Sequence, residues 1–156
     1  MTTVITHNRR RSRLSDLIDQ PGGLSTVIAL KQARANLSEV EGESVDLVSE
    51  AIQKLSELPA PQTVEEVSEA LLNAYRLTTD IIDSAGPFDR DDLCRAATNL
   101  CDLLDGSPTD RMFDWRIITV HAQSFRLLLN LPLEEKAARQ QVLDSLKEVL
   151  RAKLGG

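Results

Sequence analysis

The sequence predicts an all-α fold, an up-and-down helical bundle of about five helices with one long N-terminal helix, and three observations lead there. Apolar residues recur at spacings of three and four through most of the 156 residues. Proline and glycine cluster between these periodic segments, at Pro59 and Pro61, Gly86 and Pro87, Gly106 and Pro108, and Pro132. No stretch alternates at a period of two over a strand's length. A chain of this length folds as one body that buries roughly 68–70% of its unfolded surface. The expected organisation is a flexible basic arm over residues 1–12 and a single helical-bundle domain over 13–156.

Residues 1–12 carry no hydrophobic period. In SRLSDLIDQPGG, which follows, Leu14, Leu17 and Ile18 form the contact edge of a short helix that Pro21, Gly22 and Gly23 end. Two turns are unstable alone, so this segment is expected to dock on its own bundle or in the groove of another protein. Ser25 or Thr26 opens the long helix toward Leu58. Its seam is Val27, Leu30, Ala33, Leu37, Val40, Ser44, Leu47, Ala51, Leu55 and Leu58. Gly42 interrupts it, which predicts a bend or a close helix approach there. Unbroken, such a helix spans about 48 Å, longer than its neighbours can cover, and the excess predicts a homodimer.

The sequence LPAP breaks the chain, and Thr63 with Glu66 forms a capping box for the next helix. Its apolar face is Val64, Val67, Leu71, Ala74, Thr78, Ile81 and Ala85. After Gly86-Pro87 comes a helix carrying Leu93, Ala97, Leu100 and Leu104, with Gly106 expected as a left-handed C-terminal cap. Ser107 and Pro108 are expected to start the following helix at its N-cap and first position. That helix places Ile117, Ile118, His121, Phe125, Leu128 and Leu129 opposite a narrow polar stripe of Arg116, Thr119, Gln123, Arg126 and Asn130, the pattern of a central helix. Every aromatic residue lies between Tyr75 and Phe125, so the bulky core is expected there. A last helix carries Val142, Leu143, Leu146, Val149, Leu150 and Leu154.

Charge narrows the function classes. The net charge is −6. Four arginines against Asp16 and Asp19 leave residues 1–23 at net +2, so the rest carries −8. An acidic body argues against a nucleic-acid or anionic-membrane partner, and the basic run lacks aromatics for base stacking. With no signal peptide and no long apolar run, a cytoplasmic location is expected. Cys94 and Cys101 stand about 10.5 Å apart along one helix, too far to bridge, and are expected to be buried small hydrophobes. His7 and His121 are the two histidines, so neither a metal site nor a cofactor is expected. No glycine-rich phosphate loop or nucleophile elbow is present, and carboxylates such as Asp91, Asp92, Glu65 and Glu66 sit where helix dipoles explain them.

Two constellations point to an alternative, a phosphorelay component. A histidine in a helical bundle resembles the histidine phosphotransfer domains, which follow their His with Leu, Lys and Gly at the second to fourth positions. Here Gln123, Ser124 and Phe125 stand instead, and the wheel places His121 opposite the polar stripe, so a core histidine with one hydrogen-bond partner is the stronger expectation. Asp16 and Gln20, four apart, resemble the water-positioning pair of the response-regulator phosphatase CheZ, but Gln20 precedes Pro21, which disfavours helix there. The combination of RSRLSDLIDQPGG, an Ala- and Glu-rich long helix, LCDLLDG and DWRIITVHAQSFRLLL resembles the CheE-type small helical proteins of alphaproteobacterial chemotaxis clusters. Its sharpest parts are the PGG and the pattern of Val120, His121, Arg126, Leu127 and Leu128. The resemblance implies a cytoplasmic accessory protein of a two-component system and supplies no catalytic residue.

The resulting expectation is a non-enzymatic adaptor that binds a response regulator or another signalling protein. Arg9, Arg10, Arg11 and Arg13 would set the encounter, and Leu14, Leu17 and Ile18 would anchor it.

Overall fold

The computed structural model describes residues 22–23 and 25–154. The arm and short helix expected over residues 1–20 lie outside them. Two compact units divide the chain, Met1–Asn36 and Leu37–Gly156. Five α-helices occur among the described residues: α1 (Thr26–Glu57), α2 (Val64–Ala85), α3 (Asp91–Asp105), α4 (Arg116–Asn130) and α5 (Lys136–Leu154), with a 3₁₀ turn at Gly86–Phe88. The all-α bundle with a long first helix is therefore the observed architecture.

Ser25 opens α1 as expected, its hydroxyl accepting the Ile28 N–H at 3.3 Å. The helix runs unbroken through Gly42. No atom comes within 4 Å of where a Cβ on Gly42 would sit, so the expected close approach is absent. In the first unit, Val27, Ile28 and Leu30 are exposed. In the second unit, α1 buries Ser44, Val48, Ala51, Ile52 and Leu55. Leu47 is exposed in place of Val48, because the straight 3.6-residue period carries the contact face one position past the seven-residue seam.

Helix α2 buries Val67, Leu71, Ala74, Thr78, Ile81 and Ala85, the expected face without Val64. Its start departs from a capping box: the Thr63 side chain makes no cap bond, and Glu66 Oε2 accepts the Gln62 N–H at 2.7 Å, one residue further out. The turn into α3 uses Asp89 at φ 56°, while Gly86 stays right-handed at φ −54°. A short polar side chain tolerates that left-handed geometry.

The central helix is α3. It packs against α2, α4 and α5, whereas the sequence favoured α4 for that place. Small residues explain the difference. Ala96, Ala97 and Cys101 are buried on α3 and let three neighbours approach together. Among the aromatic residues Phe125 is wholly buried, Phe113 and Trp115 pack partly buried against the core, and Tyr75 is exposed.

Two expected caps are corrected. Gly106 is right-handed, at φ −78°, and its N–H bonds the Asp102 and Leu104 carbonyls. Ser107 belongs to the end of α3, where its hydroxyl donates to the Leu103 carbonyl. Residues 107–115 are then a connection without regular helix, and α4 begins only at Arg116. The late start has a local cause. Phe113 and Trp115 pack on the core and meet edge to face at 6.1 Å, and the Trp115 indole N–H donates to the Leu58 carbonyl at 3.2 Å. Asp114 then nucleates the helix, its carbonyl accepting the Ile117 N–H and its carboxylate chelating Arg116.

Helix α5 buries Leu143 and Leu146 as expected; the side chains of Leu150 and Leu154 lie outside the described ones. It also buries Arg139, 4% exposed. The guanidinium chelates the Asp92 carboxylate in the first turn of α3, through Nη2 at 2.8 Å and through Nε, and Nη1 donates to the Leu131 carbonyl just beyond α4. Burial pushes the Asp92 carboxyl up, but the hydrogen bonds from Arg139 and the Leu93 N–H, with the Arg139 charge, outweigh it and hold the group below its ordinary value.

Removing the cation strands a carboxylate and a carbonyl. Arg139→Ala is expected to cost about 3–5 kcal/mol in urea unfolding at pH 7. Because the folded Asp92 carboxyl is held below its ordinary value of 3.8, its contribution is complete above that pH and is lost as pH falls through the folded value. Asp92→Asn should therefore flatten the acid limb of stability as pH falls below 3.8, relative to the wild type. Parallel acid limbs would show that the pair contributes nothing.

Candidate functional site

The recognition segment expected from sequence, Arg9, Arg10, Arg11, Arg13, Leu14, Leu17 and Ile18, lies outside the described residues, as do His7 and the Asp16/Gln20 pair. The site candidates that can be placed are His121, the two thiols, the grooves and the exposed apolar surface.

His121 is wholly buried on α4. Its Nδ1 lies 2.8 Å from the Ile117 carbonyl, which can only accept, so Nδ1 carries the proton and Nε2 is left bare. That Nε2 has no hydrogen-bond partner. The ring meets Phe125 edge to face at 6.0 Å. Burial pushes its pKa down against the pull of the Ile117 carbonyl, so the imidazole is neutral at pH 7. A phosphoryl group could reach it only through an opened bundle.

The cysteines are free. Burial pushes both thiols up. The charges of Asp91 and Asp92 add to that at Cys94; at Cys101 a Thr79 hydrogen bond opposes it and the Asp102 charge adds to it. Neither is poised as a thiolate nucleophile. No group of three His, Cys, Asp or Glu that could hold a metal ion occurs among the described residues.

A groove of about 540 Å³ lies between α1 and α4 and is lined by Ser49, Ile52, Gln53, Ser56, Glu57, Arg126, Leu129 and Asn130. Its polar groups largely serve each other: Gln53 donates to Glu57 at 2.9 Å, and Arg126 stands 3.5 Å from the Ser56 hydroxyl. A second groove of about 500 Å³ runs past Leu72, Tyr75 and Leu104. Neither brings together an acid, a base and a nucleophile.

What is conspicuous is apolar surface on α1. Leu30 is 55% exposed, Leu37 42%, Val40 45% and Leu47 56%. These are seam positions of the sequence pattern, and the described residues leave them uncovered. No helix among the described residues is long and apolar enough to cross a membrane.

The bare Nε2 gives a test of whether His121 is core material. His121→Leu should leave stability at pH 7 unchanged or raise it by up to about 1–3 kcal/mol, because an unpartnered buried acceptor is removed. The folded ring titrates below its ordinary 6.5, so wild-type stability should fall as pH drops beneath that value, where the unfolded chain takes up a proton the folded one refuses. The Leu variant should lack this step in pH-dependent urea melts. A large loss at pH 7 would mean that Nε2 has a partner it depends on.

No protein-family model, no curated protein and no solved structure matches the chain.

Proposed function

We propose that the chain is a non-enzymatic, cytoplasmic adaptor of bacterial chemotaxis or two-component signalling, which acts as two copies and binds a response regulator or another signalling protein. The observation that carries this reading is the uncovered row of large apolar side chains on α1, because solvent-exposed leucines in register along a helix mark a surface made for another helix. Charge supports it further. A +2 lead segment on a −8 remainder suits docking on an acidic protein and disfavours nucleic acid. Response regulators present acidic surfaces around their phosphorylation sites, which gives Arg9, Arg10, Arg11 and Arg13 a complementary target.

The resemblance to CheE-type proteins points to the same class of partner. Phosphotransfer through His121 needs an imidazole that a regulator can touch, and His121 is enclosed; the Asp16/Gln20 pair of the phosphatase alternative lies outside the described residues.

Capture from a bacterial lysate on the immobilised full chain, and on the chain lacking residues 1–20, tests the proposal. A response regulator should be retained by the full chain and lost or much weakened without the lead segment. Identical captured proteins from both would remove the role of that segment, and capture of no signalling protein by either would remove the adaptor reading.

A further inference from the structure

Within the second unit, a furrow runs between the later turns of α1 and α2. One part of it, about 220 Å³, has Leu47, Ala51 and Leu77 as its apolar lining and Glu50, Asp80 and Asp83 as its exposed charged edge. A further part, about 450 Å³, shares Lys54 and Leu77 with the first and reaches Leu58 and Pro59. From Leu47 to Leu58 the furrow follows α1 for roughly 16 Å, three turns of a helix. Leu47 is 56% exposed in it and Leu77 is partly buried.

The charge of this furrow is lopsided. Its basic residue at the Leu47 end, Lys54, is already taken by Glu50 at 2.7 Å. Neither Asp80 nor Asp83 is in an ion pair among the described residues. One turn back along α1, Glu43 and Asp46 stand four residues before Leu47 and Glu50 and extend the same sign. At the Leu58 end Glu57 and Arg76 offset each other. Other grooves are balanced: the one between α1 and α4 sets Glu57 against Arg126, and the one at the start of α3 sets Asp89, Asp91 and Asp92 against Arg95, Lys136 and Arg139. A helix-length apolar furrow with unpaired carboxylates at one end suits an amphipathic helix that carries cations beside its apolar stripe. A second copy of the body suits it poorly, because residues 37–156 hold 22 carboxylates against 12 basic side chains.

We propose that the α1–α2 furrow is a docking groove for a basic amphipathic helix of another protein, with apolar side chains on Leu47 and Leu77 and lysines or arginines on Asp80 and Asp83. This gives the adaptor of the proposed function a second binding surface, made of residues other than the basic lead segment, and rests on that reading only for its use in signalling.

A fluorescent 14-residue helical peptide of leucine and lysine, with its leucines at three-and-four spacing, serves as the probe for the full chain in an anisotropy titration at physiological salt. Binding should saturate at one peptide per chain. The double variant Asp80→Lys, Asp83→Lys should weaken it by about tenfold or more, and Leu47→Gln by several-fold, with helix content unchanged. The double variant Asp102→Lys, Asp105→Lys, the same change of net charge placed on α3, should leave it within about twofold. Equal losses in the two double variants would show that the peptide reads net charge and not the furrow, and would overturn the proposal. No binding would overturn it as well; a full-chain dimer that Leu47→Gln dissociates would then assign the furrow to a second copy. The lysate capture above reads the lead segment and judges the adaptor reading separately.

Discussion

A guanidinium inside an otherwise aliphatic body demands partners, and the way Arg139 finds them organises the C-terminal half of the protein. One side chain from α5 reaches the first turn of α3 through Asp92 and the end of α4 through the Leu131 carbonyl. Desolvating that charge is costly unless every donor is used, so three elements are held at one point or the arrangement fails together. Hydrophobic contacts alone would allow α5 to slide along α3. The clamp fixes its level and so decides which of its residues, Leu143 and Leu146, enter the core.

Around that point, the packing follows from side-chain size. Helix α3 is narrow, with Ala96, Ala97 and Cys101 facing inward, and it can be surrounded. Helix α4 brings Ile117, Ile118, Phe125 and Leu128, which fill space and keep it at one flank. His121 sits among these as neutral packing with one satisfied nitrogen and one bare one. His121 is enclosed, and burial pushes both thiols up. What the body offers outward is surface, above all the α1 row.

Much of the fold was legible as periodicity. The face of α2 came out residue for residue apart from Val64, and the spacing on α3 identified Leu93, Ala97, Leu100 and Leu104 but not Ala96 or Leu103. Three failures have physical causes. Ser107-Pro108 has every mark of a helix start, but Trp115 is anchored to the Leu58 carbonyl and draws residues 113–115 into packing instead of helix. Arg139 was missed because arginine is read as solvated; its place four residues before Leu143 and seven before Leu146 was the available signal. On α1, spacing alone cannot say what an apolar seam faces, and Leu47 and Val48 exchange roles because a straight helix drifts from a seven-residue repeat. The candidate binding residues before Ile18 were readable only as charge and a contact edge, and no described residue bears on them.

On the proposed reading, the body is a self-sufficient core and α1 is completed from outside. Hydrogen exchange of the full chain at low and high protein concentration measures both parts at once. Amides of α3 and α4 should be the slowest and independent of concentration, while those of α1 from Ile28 to Val40 should exchange rapidly when dilute and slow markedly when concentrated. Rapid exchange throughout α3, or α1 amides indifferent to concentration, would contradict it.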